Sequence, residues 1–562
     1  QAKFFLDKRG YTDRRDEYSQ AHKPVVEQDE AVGHAVRAAY MYSGMADVAA
    51  LTGDSAYIRA IDRIWDNIVS KKYYITGGIG ATSQGEAFGK NYELPNMSAY
   101  CETCASIGNV YLNYRLFLLH GESKYYDVLE RTLYNGLIAG VSLDGGSFFY
   151  PNPLESMGQH QRQPWFGCAC CPSNVSRFIP SLPGYVYAVK DNQVYVNLYL
   201  SNKATLKIGR KSVTLSQETR YPWNGDIALT VDKNSAGRFA MKLRIPGWVR
   251  NQVVPSDLYT YTDGKRLSYQ VKVNGELQEA ELGADGYFTV TRQWKKGDKV
   301  ELHFDMEPRV VKANARVEAD RGRVAVERGL VYCAEWPDND FDVLSVLLNR
   351  QPSFTVTEKP DLLYGLNQIQ TPAQTLKYDA EGRLSVQDVT LTLIPYYAWA
   401  HRGSGRMAVW LPSDVKAARP AGTVATYKIT ASHQTSALSS VADGLVPQDE
   451  NDRTIPYYHW WPKNGSTEWV AYEFPQARKV SSAEVYWFDD APWGGCRVPR
   501  LWSLYYKDNA GQWQPVANPG EYTVRKGDAN MVTFDPVTTT AMKLEVVLPE
   551  KNSAGVFEWT VR

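Results

Sequence analysis

The chain has 562 residues, too many for one ordinary hydrophobic core, so about three or four domains are expected. Its 62 Lys and Arg balance 62 Asp and Glu with no long run of one sign, which leaves no electrostatic reason to expect nucleic acid or an anionic membrane surface and suits a neutral partner better. No stretch approaches the roughly 18 uncharged apolar residues of a membrane span, and the opening QAKFFLDKRGYTDRRDE lacks the basic-then-apolar plan of a signal peptide.

From about residue 28 to 140 the apolar residues recur at helical spacing, as in Val32, Val36, Ala39 and Tyr40, then Ile58, Ile61, Ile64, Trp65 and Ile68, then Val110, Tyr111, Tyr114, Phe117 and Leu118. Two junctions look alike, LTGDSAY at 51–57 and LHGESKY at 119–125, each with a Gly where one helix stops and a polar residue where the next begins. Repeated helical hairpins stack into solenoids or closed toroids, whose end loops can carry chemistry. After about residue 190 the texture changes to alternation rich in Val, Tyr and Thr, as in QVYVNLYL, DIALTV, RFAMKLRI and KVELHF, broken by NG, DG and KKGD turns. The expected fold class is therefore multidomain, α then β. A helical domain spans 1–190 and β-sandwiches span 191–310, 311–415 and 424–562, the last two separated by PSDVKAARPAG. In the final block Tyr457, Tyr458, Trp460, Trp461 and Trp493 lie in turn-rich surroundings, where a small binding module would carry its contact loops.

Five of the seven cysteines fall at 101, 104, 168, 170 and 171, and an odd, clustered set argues against a disulfide framework. The segments YCETCAS (100–106) and WFGCACCPSN (165–174) offer four or five soft ligands and one carboxylate, which is donor chemistry for tetrahedral zinc. They lie too far apart for a zinc finger, so the site is expected to join two loops of a larger fold. Glu102 and Cys104 should share one side of an extended loop, with Cys104 opening the helix ASIGNVYLNYRLF, whose N-terminus favours thiolate. On the residues alone, a structural zinc site and buried free thiols both stay open beside a catalytic metal. Glu86 stands in the glycine-rich segment TGGIGATSQGEAFGKNYELPN (76–96), which lacks the Gly-Lys-Ser/Thr ending of a phosphate loop.

GGIGATSQGEAF, YELPN, YCETCAS and CACCPSN, with AHKPVVEQDEAVGHAVRA before them and LRIPGW after, resemble glycoside hydrolase families 127 and 146, the β-L-arabinofuranosidases, over residues 1 to about 415. IPYYAWAHRGSGRMAVWLP (394–412) and the extra terminal block tilt the resemblance to family 146. The resemblance implies an (α/α)6 toroid of which this chain holds the C-terminal part, the remaining N-terminal part with further sugar contacts being a missing partner piece. It implies an exo-acting, retaining hydrolase of arabinofuranose-containing glycans. Cys170 would be the nucleophile and Glu86 the general acid and then base. Glu102, Cys104, Cys170 and Cys171 would be ligands of a Zn2+ ion, and His34 and Tyr150 would contact the sugar, with Cys101 and Cys168 as bystanders. The terminal block, through STEWVAYEFPQARKVSSAEVYWFDD and RVPRLWSLYYKDNAGQWQPV, is similar to a discoidin-type sandwich, a fold often used to bind sugars.

Two readings of other classes compete. A zinc Lewis acid activating water needs an open coordination position and at most three protein ligands, against which the four ligands of the resemblance weigh. A noncatalytic carbohydrate-binding or scaffold protein with structural zinc would keep sugar binding when Glu86 is changed. A sugar-binding module points to the periplasm or cell surface, with the cytoplasm left open.

Overall fold

The computed structural model describes every residue except 12–14, 350, 379–383, 422–427, 436, 448, 453–454 and 493. Two compact units divide the chain: Gln1–Gln374 with Asp388–Ala418, and Thr375–Gln387 with Arg419–Arg562.

The first unit opens with helices: α1 (Ala2–Asp7), α2 (Ala35–Thr52), α3 (Ser55–Asn67), α4 (Thr103–His120), α5 (Ser123–Arg131) and α6 (Cys170–Phe178). Both repeated junctions behave as their residues require. Gly53 (φ 66°) and Gly121 (φ 79°) take the left-handed conformation that closes a helix, and their N–H groups bond to Ala49 O and Phe117 O. Asp54 then caps α3 by accepting from Ala56 N. Helix α2 meets α4 where Gly108 faces Ala39: a Cβ on Gly108 would stand 2.9 Å from the Ala39 methyl, so only glycine permits this approach. Ala39 and Gly108 are each about one and a half turns into their helices, so the cap residues His34 and Glu102 come out at the same end. Trp65 Nε1 donates to Asn113 Oδ1 at 2.8 Å and ties α3 to α4, while Tyr40 ties α2 to α6 through Asn174 at 3.1 Å.

The strands that follow form the expected β-rich part. Among the described residues a four-stranded sheet, with Gln193–Val196 parallel to Arg238–Arg244, and a six-stranded antiparallel sheet share a core of alternating residues such as Val213, Leu229, Phe239, Met241 and Leu302. A further sheet contains Arg323–Arg328 and Leu330–Glu335 at its centre. The second unit is built on an antiparallel sheet whose longest members are Thr467–Phe488 and Asn530–Val547. Its aromatic set is not a row of contact loops: Tyr458 and Trp460 are fully buried core residues, Tyr457 stacks on Phe488 at 3.8 Å, and Trp461 is exposed. Trp493 lies outside the described residues.

Arg244, from the LRIPGW segment, fastens the first sandwich to the helices. Its buried guanidinium donates to Asp127 at 2.8 Å, to Glu130 at 2.5 Å and, through Nε, to the Asn197 carbonyl at 2.7 Å, while Arg250 donates to the other Asp127 oxygen at 2.5 Å. Removing one member leaves its partners charged and dry. Arg244→Ala is therefore expected to destabilise the chain by about 3–5 kcal/mol, read as a lower midpoint in denaturant. An unchanged midpoint would mean that the network contributes nothing net.

Candidate metal centre and active site

Three helix N-termini converge. Glu102 is the N-cap of α4, and Cys104 sits in the first turn of that helix, so the pair is not the extended loop expected from its spacing. Cys170 and Cys171 are the first two residues of α6. The segment before α4 is held against the segment that carries Tyr150. Thr103 N donates to Tyr150 O at 3.0 Å, Asn152 N to Tyr100 O at 3.0 Å, and Asn152 Nδ2 to Cys101 O at 2.9 Å. Farther along, Arg162 donates to the carbonyls of Ala139 and Trp399 at 2.8 Å each and lies 4.3 Å over Phe149, which stacks on Trp399 at 5.0 Å. The later β-rich part thus steadies the segment that bears Tyr150.

The ligand atoms of Glu102, Cys104, Cys170 and Cys171 all lie within 4.8 Å of one another. Cys104 Sγ is 3.6 Å from Cys171 Sγ, Cys170 Sγ is 3.8 Å from Cys171 Sγ, and Glu102 Oε1 is 3.4 Å and 3.6 Å from the Cys170 and Cys171 sulfurs. A tetrahedron with about 2.3 Å metal–sulfur and about 2.0–2.2 Å metal–oxygen bonds has edges of about 3.5–3.8 Å. The four groups fit a zinc ion in both donor chemistry and spacing. Glu102 Oε2 is buried without a hydrogen-bond partner, as expected of a carboxylate placed for something other than protein.

The electrostatics point the same way. Burial, then the neighbouring Cys170 and Glu86, push the Glu102 carboxyl up to about 9. Hydrogen bonding to Cys170 pushes the Cys104 thiol up, and hydrogen bonding to Cys104 pushes Cys171 up. Cys170 is the exception. Hydrogen bonds from Cys104 and Cys171, with help from Tyr150 and Glu102, pull its thiol well below the usual range despite burial. The Tyr150 hydroxyl lies 2.9 Å from Cys170 Sγ: it accepts from the thiol, and its own hydrogen bond favours the ionised form. Of the four, Cys170 is the one held as an anion by its surroundings, and it starts a helix, whose dipole has the same effect.

Glu86 follows Gly85 in a tight turn where both take left-handed backbone, φ 66° and 51°. The turn is anchored at the start of α2 by the bridge between His34 and Ala87 and by Phe88 N donating to Gly33 O at 3.0 Å. His34 Nε2 lies 2.8 Å from Glu86 Oε2, and Tyr100 donates its hydroxyl to Glu86 Oε1 at 2.9 Å. Burial lowers the pKa of His34. Ligand atoms of His34, Glu86 and Glu102 also fall within 4.8 Å of one another, so Glu102 borders both clusters.

A cavity of about 520 Å³ is lined by His34, Glu86, Glu102, Tyr150 and Cys170, together with Cys104, Cys168 and others. All seven residues expected from the sequence are thus gathered, Cys171 lying just behind the wall. Cys168 borders the cavity without joining the ligand cluster, and Cys101 is buried behind Gly78. A larger groove of about 740 Å³ on the six-stranded sheet holds no cysteine; within it His303 pairs with Asp226 at 2.7 Å, while Arg220 and Glu301 pair with Glu358 and Lys299 outside it. Sequence reasoning left Tyr100 without a role. Its place in YCETCAS, two residues before a ligand, was the available signal.

Three family models match: the catalytic domain of the GH127 beta-L-arabinofuranosidases over residues 1–184, their middle domain over 193–306, and the glycoside hydrolase family 127 C-terminal domain over 308–412. A non-reducing end beta-L-arabinofuranosidase from Bifidobacterium longum subsp. longum is 37% identical over 424 residues, covering 70% of this chain and 61% of the relative. The match thus spans less than two thirds of that protein. Among solved structures, a GH127 beta-arabinofuranosidase is 73% identical with a TM-score of 0.73, covering 74% of this chain and 66% of its own. A GH127 beta-L-arabinofuranosidase from Geobacillus stearothermophilus T6 is 38% identical with a TM-score of 0.68, covering 73% and 68%. Neither the expected closeness to family 146 nor a missing N-terminal half of the catalytic domain finds support in these matches.

The protein prepared with zinc is expected to carry one zinc ion per chain by elemental analysis. Cys171→Ala should weaken zinc affinity by more than about 100-fold, since changes outside the ligand shell alone cost about 10–100-fold. Because the thiolates must shed protons to bind, affinity should fall as pH is lowered. Equal zinc content in parent and variant would remove the ligand assignment.

Proposed function

Because the chain belongs to glycoside hydrolase family 127 and gathers a stabilised thiolate and a hydrogen-bonded glutamate in one cavity, we propose that it is an exo-acting, retaining β-L-arabinofuranosidase of arabinofuranose-containing glycans. The relatives named for this activity support the substrate class. The observation that carries the mechanism is that Cys170 and Glu86 both lie beside Glu102 on one cavity.

In the first step Cys170 Sγ attacks the anomeric carbon, a C–S bond forms, and the glycosidic C–O bond breaks as Glu86 gives its proton to the departing oxygen. In the second, Glu86 takes a proton from water, the water oxygen bonds to the anomeric carbon, and the C–S bond breaks. Two inversions give net retention. Zinc held by Glu102, Cys104, Cys170 and Cys171 would keep the cysteine deprotonated and restrain its basicity. Tyr150 steadies the thiolate and, with His34, borders the space the sugar would fill. We also propose that the paired helices α2 to α5 belong to an (α/α)6 toroid. The common exit of α2 and α4 and the matching junctions at Gly53 and Gly121 favour it.

The test is hydrolysis of an aryl β-L-arabinofuranoside, with the configuration of the first-formed sugar followed by NMR. Cys170→Ala should abolish turnover, Glu86→Gln should lower it by about 10²–10⁴-fold, and the parent should release sugar of retained configuration. A Cys170→Ala protein as active as the parent would end the proposal, and an inverted product would end the two-step mechanism.

A further inference from the structure

We propose that Tyr100 is a positioning residue for Glu86, holding one carboxyl oxygen so that the acid turns its other lone pairs toward the leaving group. The inference rests on the reading of Glu86 as acid and then base. Glu86 stands on a two-residue left-handed turn with its carboxyl at the end of three rotatable bonds, and nothing in that turn fixes the rotation of the carboxyl. Two groups do. His34 Nε2 meets Oε2 at 2.8 Å and the Tyr100 hydroxyl meets Oε1 at 2.9 Å.

The two are not equivalent. His34 lines the cavity beside Glu86, whereas Tyr100 is absent from the cavity wall and reaches the carboxyl from the protein side. Tyr100 is also well fixed. Its carbonyl accepts from Asn152 N at 3.0 Å, the next residue donates its N–H to Gly80 O at 2.9 Å, and its ring lies 6.1 Å from that of Tyr150. The neighbouring phenol of Tyr150 in turn is hydrogen-bonded to Cys170 at 2.9 Å. Two adjacent tyrosines therefore each hold one reacting group, Tyr150 the nucleophile and Tyr100 the acid. A carboxyl free to rotate offers its proton in the wrong direction part of the time, and the loss is greatest where the departing oxygen needs that proton most.

Tyr100→Phe removes only the hydroxyl, and the ring contact with Tyr150 remains. Zinc content and thermal midpoint should match the parent. In crystal structures of the two proteins, the Glu86 carboxyl should rotate or occupy more than one rotamer in the variant. With a sugar leaving group, kcat/KM should fall about 10–100-fold, in the range of a hydrogen bond to a charged group. With a 2,4-dinitrophenyl leaving group, which departs without protonation, it should change less than about 3-fold. An unchanged Glu86 rotamer overturns the proposal, as does an equal loss on both substrates, which would mark a pocket-shaping ring instead. If the parent hydrolyses neither substrate, the acid/base reading of Glu86 fails. The Glu86 rotamer in the two crystal structures still decides whether Tyr100 holds it.

Discussion

Three thiols and a carboxylate meet where no two ligand atoms are more than 4.8 Å apart, and Glu102, Cys104 and Cys171 are buried. Two like charges 4 Å apart repel by about 4 kcal/mol even at an effective dielectric constant of 20. Four full charges would make six such pairs, more than the roughly 5–15 kcal/mol by which a domain is stable. The cluster therefore exists either largely protonated or neutralised by a cation. The upward shifts of Glu102, Cys104 and Cys171 are the protonated solution, and the tetrahedral spacing is the geometry of the other. The same edges serve hydrogen bonds among the thiols in the protonated state and match those of a tetrahedral metal site.

The surrounding fold serves that constraint. Helices α4 and α6 bring their N-termini to the cluster, and α2 begins beside it at His34, so partial positive charge faces the thiolates and carboxylates from several directions. The Ala39–Gly108 contact sets how closely α2 and α4 approach and hence how near His34 and Glu86 come to Glu102. Arg162, Phe149 and, from farther along the chain, Trp399 form a stack that supports the segment bearing Tyr150.

What was legible in the sequence was local. Helix stops at Gly53 and Gly121 follow from backbone conformation that glycine alone adopts easily, and the ligand letters in YCETCAS and CACCPSN announce their own chemistry. What was not legible depended on direction or on distant partners. Cys101 and Cys104 are the same residue three apart, yet left-handed backbone at Cys101 (φ 39°) sends its side chain behind Gly78, while Cys104 turns into the cluster on the first turn of α4. Tyr458 and Trp460 look like Trp461 in the sequence, but the first two pack into the core at a short strand and just after it, whereas Trp461 stands exposed in the turn that follows. Tyr100 had no visible role because its partner, Glu86, is brought to it by a turn docked on α2.

On the mechanism proposed above, Glu102 ties the placement of the acid Glu86 to that of the nucleophile Cys170. Its Oε1 touches Cys170 at 3.4 Å, and the same carboxylate borders the group formed by His34 and Glu86. One buried side chain therefore adjoins both of the proposed reacting groups. Moving Glu102 would disturb the Glu–Cys cluster and the His34–Glu86 pair together. That coupling accounts for Glu102 being the N-cap of a long, well-packed helix rather than a residue of the loop that carries Glu86. Glu86, by contrast, sits on a turn, where Tyr100 and His34 hold its carboxyl.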